Sequence, residues 1–414
     1  MKKEVKWLAV FFLIISAMLV GCSNDSKSDA KGDGKEITYA LWDKEQAPIY
    51  EELAKEFEEE TGIKVKFEIT PWAQYWTKLE TAITGNNAPD VFWINFPRVP
   101  DYIDNEVVLP LDDIEFDKDK FPQQYLDSYT RNGKLYAIPK DFDSHALYYN
   151  KKIFDEANIA YPDDTWTWDT WREVAKKLTN KDKNIYGMAA PVTWQGGYYE
   201  TLLQSGGAPF AEDGTKSGFS DSKTIAGVQF WYDFVKEGSS PTVEEMASTT
   251  VSELFLNGRI AMTLDGSYMV PTYFTDEYGI ENIDVAPMPK GEIRATTSNA
   301  LANAISAKTE NEEAAKKWVA YLSTKEANEH TANSGKVLSA YEGSQEGWMN
   351  AYPDKNLKVF IDAVEYAVPL PNKKNNSAAI AIEADILTKA WTGEITVEEA
   401  CLELAKQADE LLKK

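Results

Sequence analysis

Residues 36–42, Glu36-Ile37-Thr38-Tyr39-Ala40-Leu41-Trp42, read as a β-strand, and Pro48 then opens a helix whose apolar positions Ile49, Leu53 and Phe57 fall at i, i+4 and i+8. Gly62 closes that helix. Ile63-Lys64-Val65-Lys66-Phe67-Glu68-Ile69 follows and alternates with period two, completing a β-α-β unit. Trp76 to Ile83 reads as a second helix ending at Gly85, and Pro89-Asp90-Val91-Phe92-Trp93-Ile94 as a third strand, apolar enough to be buried on both faces. This alternation predicts an α/β fold with a mainly parallel sheet covered by helices. Ligands of such sheets sit at the carboxyl ends of the strands, which singles out Trp42, Asp43 and Asn95 by position.

Downstream the pattern continues without an internal repeat. Leu135-Tyr136-Ala137-Ile138-Pro139 and Ala146-Leu147-Tyr148-Tyr149-Asn150 read as short strands around Asp141-Phe142-Asp143. Thr167-Trp168-Asp169 caps a helix through Leu178, with Trp171, Val174 and Leu178 on one face. Ile225 to Val235, Val251 to Asn257, Ala314 to Leu322, Leu357 to Val368 and Val397 to Leu412 read as further helices. Arg259 to Leu264 is a strand running into Asp265-Gly266-Ser267-Tyr268. Cys401 lies in the last helical pattern, where a buried free cysteine is the ordinary reading.

Upstream, residues 1–21 combine Lys2, Lys3 and Lys6 with an apolar run from Trp7 to Val20. The run is short for a bilayer span and is followed by small residues, which predicts an export signal peptide. Residues 22–35 contain almost no apolar side chains and read as a flexible tether. The 414-residue chain carries 43 Lys+Arg against 67 Asp+Glu, a formal net charge of −24. That sign excludes nucleic acid and disfavours an anionic membrane surface. The length points to two lobes rather than one core. With only Cys22, Cys401, His145 and His330, the sequence predicts no metal site, no cofactor and no disulfide framework.

The stations in order are Leu19-Val20-Gly21-Cys22, Phe57 to Gly62, Trp76-Thr77-Lys78-Leu79, Asn86 to Val91, Gly133 to Pro139, Leu147 to Lys151, Phe255 to Met262, and Glu313 to Trp318. Each is weak alone, but in this order and at these separations the chain resembles the extracellular solute-binding proteins that deliver sugars to ABC importers, the group that includes the maltose-binding protein. The resemblance covers nearly all of residues 36–414. It implies a two-lobed, periplasmic-binding-protein-like fold of type II, with three hinge crossings near Phe142 to Ala146, Thr296 to Leu301 and Lys336 to Ala340. Residues 36–145 and 300–338 would form one lobe, and residues 146–299 and 339–414 the other. Leu19 to Cys22 resembles a lipobox, which implies acylation of Cys22. The implied partners are the transmembrane permease subunits and the membrane to which the lipid holds a monomeric receptor. The implied location is the outer face of a bacterial plasma membrane, on the periplasmic side if the cell has an outer membrane.

A sugar offers hydroxyls that donate and accept, together with weakly apolar C–H faces, so carboxylates, amides and aromatic rings are its natural partners. Trp168, Trp171, Trp231 and Trp318 fall in helical patterns and read as packing residues. Trp194 sits in the Gly-rich segment Trp194-Gln195-Gly196-Gly197-Tyr198, where the family places ligand-facing aromatics. Tyr268 occupies the position of a stacking tryptophan in the maltose-binding protein, and Asp265 ends the strand beside it. Asp143 matches the family's ligand-binding acid at the first crossing, and Asn95 the ligand position after the third strand. Of Tyr75 and Trp76, one is expected to face the cleft and the other the core. Near Asn375-Asn376-Ser377-Ala378 a family stacking aromatic is missing, which makes Asn376 a hydrogen-bonding candidate and argues against maltodextrin.

Two other readings compete with sugar capture. Asp141 and Asp143 share a strand face and could be the paired carboxylates of a glycoside hydrolase, although residues two apart leave no way to flank a scissile bond. The acidity also permits a receptor for a polyamine or peptide.

Overall fold

The computed structural model describes residues 34–413. The export signal and the acylation site Cys22 lie outside the described residues. Strand β1 (Glu36–Leu41), helix α1 (Ala47–Thr61), strand β2 (Lys64–Ile69), helix α2 (Trp72–Thr84) and strand β3 (Val91–Asn95) form the opening unit, with β1 central and parallel to both neighbours. The i, i+4 spacing buries Ile49, Leu53 and Phe57 of α1, each worth roughly 1.5–3 kcal/mol relative to exposure. Gly62 ends α1 in the left-handed region, at φ 74°, with its N–H on the Glu58 carbonyl.

The short hairpin β4 (Thr130–Arg131) and β5 (Lys134–Leu135) leads into β6 (Ala137–Asn150), fourteen residues long and buried throughout. The sheet is completed by β7 (Met262–Gly266), β8 (Ile283–Ala286), β9 (Thr296–Ile305) and β10 (Ala367–Pro369), in the order β2-β1-β3-β9-β6-β7, with β8 on β6 and β10 on β9. Its second half is mainly antiparallel: β9 runs against both β3 and β6, and β7 and β8 run against β6, while β10 runs parallel to β9. The sheet is therefore mixed where the sequence suggested a mainly parallel one. The two expected short strands around Asp141 are in fact the single strand β6. The first part of β6 pairs with β9, up to Ser144 opposite Ser298, and the last part, from His145, pairs with β7 and β8.

Two main cores result. One gathers Tyr39, Phe57, Trp93, Tyr129 and Trp318 and continues through Tyr148 to Tyr273, Phe274 and Phe360. The other gathers Leu147, Trp171, Tyr199, Trp231, Phe234, Leu387 and Leu404. Cys401 belongs to this second core, and burial pushes its thiol up to about 12. Trp168 is the packing residue its pattern suggested, stacked 3.9 Å from Phe230. The segment expected to be helical from Leu357 is helix only over Lys358–Asp362, continues as a 3₁₀ turn, and ends as β10. No described helix is long and apolar enough to cross a membrane.

Candidate ligand-binding site

A cleft of about 500 Å³ opens where β1, β3 and the middle of β6 end against the Trp194–Tyr198 turn and the segment after β7. Its lining includes Trp42, Asp43, Trp72, Asn95, Asp141 and Asp143 on one side, and Trp194, Gln195, Tyr268 and Met269 on the other. Lys336 to Leu338 complete it. Its size and its mixture of aromatic rings with a few polar groups suit a small polar ligand with apolar faces.

The aromatic wall is held from behind. Trp42 packs edge-on against Trp72 at 5.1 Å, against Tyr75 at 4.9 Å and against Trp93 at 5.1 Å. Trp72 is 48% exposed, and Tyr268, on the other side, 44%. Pro71 precedes α2 with extended backbone, so the helix begins four residues before the Trp76 start expected from periodicity. That shift turns Trp72 into the cleft. Neither Tyr75 nor Trp76 lines it: the Tyr75 hydroxyl donates to the Trp93 carbonyl at 2.9 Å, and Trp76 lies under the Arg98 guanidinium at 4.9 Å. One helical turn separates the wall residue from its support.

The charges on the floor are largely neutralised in place. A register irregularity in β6 between Pro139 and Asp141 lets the consecutive residues Lys140 and Asp141 ion-pair while both are buried. Burial lowers the Lys140 pKa and raises that of Asp141, and the pairing opposes both shifts. The Lys140 ammonium also sits 3.8 Å from the centre of the Trp93 ring. Asp43 accepts from the backbone N–H groups of Glu45 and Gln46 at the start of α1, and from the Gln46 amide at 3.0 Å. Lys336 donates to the Glu45 carbonyl at 2.9 Å and lies 3.7 Å from its carboxylate.

Asp143 differs. Its carboxylate accepts from the Gln195 amide at 3.1 Å and 3.2 Å and from the Asn299 N–H at 3.2 Å, all uncharged donors. Burial pushes its pKa up to about 7, against the opposing influence of His145. His145 is fully buried, with Nδ1 3.1 Å from the Thr297 hydroxyl and 3.4 Å from Glu200. Gly196, at φ 65°, brings the Gln195 turn against that ring: a Cβ there would lie 3.3 Å from His145 Cδ2.

Trp42, Asp43, Asn95, Asp143, Trp194 and Tyr268 thus meet at one cleft. Two other expected site residues do not join them. Asp265 turns away to accept from the Tyr273 hydroxyl at 2.9 Å, and burial pushes it up to about 6. Asn376 is buried at a different cavity, of about 440 Å³, between Phe210 and Val368, where its amide bonds Lys373 N–H and the Gly214 carbonyl. Trp72, Gln195, Asn299 and Lys336 were not singled out by sequence. Trp72 follows the carboxyl end of β2, so the strand-end argument that found Trp42 reaches it too.

Compared with known proteins, residues 42–329 match the family described as bacterial extracellular solute-binding protein. An ABC substrate-binding protein from Listeria monocytogenes, solved in complex with cycloalternan, superposes with a TM-score of 0.85 at 27% identity, covering 91% of this chain and 99% of its own. The diacetylchitobiose binding protein DasA of Streptomyces coelicolor is 27% identical over 66% of each chain. The maltodextrin-binding protein MdxE of Bacillus subtilis is 25% identical over 90% of this chain and 88% of its own.

Proposed function

The chain belongs to the bacterial extracellular solute-binding protein family, and from that premise we propose that it captures an oligosaccharide in the cleft between Trp72 and Tyr268 and hands it to a membrane permease. As a member of a family of ABC-transporter binding proteins it is a receptor and not an enzyme, which removes the glycoside hydrolase reading. The observation that carries the sugar assignment is the pairing of half-exposed aromatic rings, Trp72 and Tyr268, with the hydrogen-bonding groups of Asn95, Asp143 and Gln195 in one cleft. Rings cover the C–H faces of a sugar, and the amides and carboxylates take its hydroxyls. The three relatives described above are named for, or solved with, a diacetylchitobiose, a maltodextrin and a cycloalternan, which supports an oligosaccharide over a polyamine or peptide.

In this reading residues 36–145 with 300–338 move as one lobe against residues 146–299 with 339–414, and ligand favours the closed arrangement by touching both. Asp143 and Trp72 would bind from one side, and Trp194, Gln195 and Tyr268 from the other. The lipobox-like Leu19 to Cys22 implies a lipid tether at the outer face of the membrane. Expression of Cys22→Ser tests the tether: release into the medium or periplasm supports it, and retention in the membrane fraction contradicts it. Calorimetric titration with neutral oligosaccharides, amines and peptides tests the ligand class, with saturable heat expected for sugars.

A further inference from the structure

Glu200 lies in the first turn of the helix Tyr199–Gln204, outside the lining of the cleft, and its side chain is fully buried. His145 is its only ion-pair partner among the described residues. A buried carboxylate is costly, so the donors gathered around it show what it holds. One oxygen accepts from the Gly196 N–H at 3.4 Å and from the Thr297 hydroxyl at 2.5 Å. The other accepts from the Thr297 N–H at 2.8 Å and from the Thr296 hydroxyl at 2.9 Å. With its proton committed to Glu200, the Thr297 hydroxyl accepts from His145 Nδ1 at 3.1 Å. A single side chain thereby ties the Trp194–Tyr198 turn to β9 and to the residue where β6 changes partners. Gln195, whose amide meets Asp143, is the neighbour of Gly196 in that turn.

Each carboxylate oxygen thus faces one backbone N–H, and unlike a hydroxyl a backbone N–H cannot rotate to accept. A glutamine in the same place would set its NH2 group against one of those two N–H groups whichever way its amide were flipped, so the position requires an acceptor at both ends. The Thr297 N–H is held in β9, whereas the Gly196 N–H belongs to a turn in which Gly196 has φ 65° and Gly197 also departs from helical geometry. Of the two, the turn is the part free to give way. Resting on the reading of the cleft as an oligosaccharide site, we propose that Glu200 is a positioning residue for ligand capture: it touches no ligand, but fixes the place of the Gly196 turn and so aims Gln195 at Asp143 and the cleft.

The test joins hydrogen exchange to a double-mutant cycle. Exchange over the Trp194–Tyr198 segment of the ligand-free protein, read by mass spectrometry, is expected to quicken by about tenfold in Glu200→Gln, the loss ordinarily associated with a hydrogen bond to a charged group. Isothermal titration then uses di-N-acetylchitobiose, maltotriose and cycloalternan as probes. Affinity for a probe that binds should fall by about tenfold in Glu200→Gln, and Glu200→Gln combined with Gln195→Ala should bind no more weakly than Gln195→Ala alone, because both changes cost the same contact. Melting curves check the fold of each variant. Where the amide variant does not fold, Glu200→Asp takes its place with the same expected result, being one methylene too short to reach both the turn and β9. Losses that multiply in the double variant, or exchange at the turn that stays unchanged, would overturn the proposal while leaving the sugar reading intact. Binding of none of the probes by the unaltered protein would count against the sugar reading instead, and exchange then decides whether Glu200 holds the turn: quickened exchange supports it, and unchanged exchange overturns it.

Discussion

The side-chain nitrogen of Gln195 donates to both carboxylate oxygens of Asp143, at 3.1 Å and 3.2 Å, and so joins the Trp194–Tyr198 turn to the strand that passes from one core to the other. The turn thus meets β6 at the carboxylate that lines the cleft. A hydrogen bond to a charged group contributes about 1.5–3 kcal/mol. Gln195→Ala should therefore weaken oligosaccharide binding by roughly tenfold or more. Gln195→Glu, which sets a second carboxylate against Asp143, should weaken it further. Calorimetric affinities of the two variants, with melting curves as controls, check the order.

Trp72 and Trp76 lie on one helix, yet should behave differently when truncated. Trp72 is about half exposed at the cleft and Trp76 is buried under Arg98. Trp72→Ala should reduce affinity by about tenfold with little change in melting temperature. Trp76→Ala should lower stability by roughly 3–5 kcal/mol, measured by denaturant unfolding. Equal effects of both variants on affinity would mean that the wall is placed wrongly.

Glu383 should make stability fall as pH rises. It is buried, accepts from the Tyr198 and Tyr199 hydroxyls at 2.8 Å each, and burial pushes its pKa up to about 8 from an ordinary 4.5. Between those values the folded chain holds a proton that the unfolded chain has lost, so stability is full below about 4.5 and declines towards pH 8. Asp143 and Asp265 shift in the same direction, so the variant isolates Glu383. Glu383→Gln should flatten the decline and melt higher than the unaltered protein at about pH 8, by roughly a few degrees.

Ligand binding should carry its own pH dependence. Asp143, with its pKa pushed up to about 7, is largely protonated in mild acid and then loses acceptor capacity and charge. Affinity should fall as pH drops from about 8 to 6, and Asp143→Asn should bind weakly but evenly across that range. Titrations at several pH values check it.

The parts of this design that repeat with a regular period were legible in the sequence. The helical spacing of Ile49, Leu53 and Phe57 and the alternation of residues 63–69 gave the β1-α1-β2 unit, and strand ends then pointed to Trp42, Asp43 and Asn95. Tyr75 and Trp76 misled because a helix boundary set by Pro71, not by periodicity, decided which aromatic faces the cleft. Asp265 and Asn376 stand at expected positions, but Tyr273, Lys373 and Gly214 occupy their hydrogen-bonding groups, and neither the strand end nor the polar loop shows which way those side chains turn. Gln195 was missed because its role depends on a residue 52 positions away, which leaves no local pattern. The continuity of β6 through Asp141 likewise depends on β9, more than 150 residues later.

Titration of the purified protein with a panel of oligosaccharides, followed by chromatography of the recovered ligand, tests the central claim most directly. The predicted result is saturable one-site binding of at least one oligosaccharide, quenched tryptophan fluorescence that is lost in Trp72→Ala, and ligand recovered intact. Absence of binding to every sugar, or recovery of shortened chains, would contradict it.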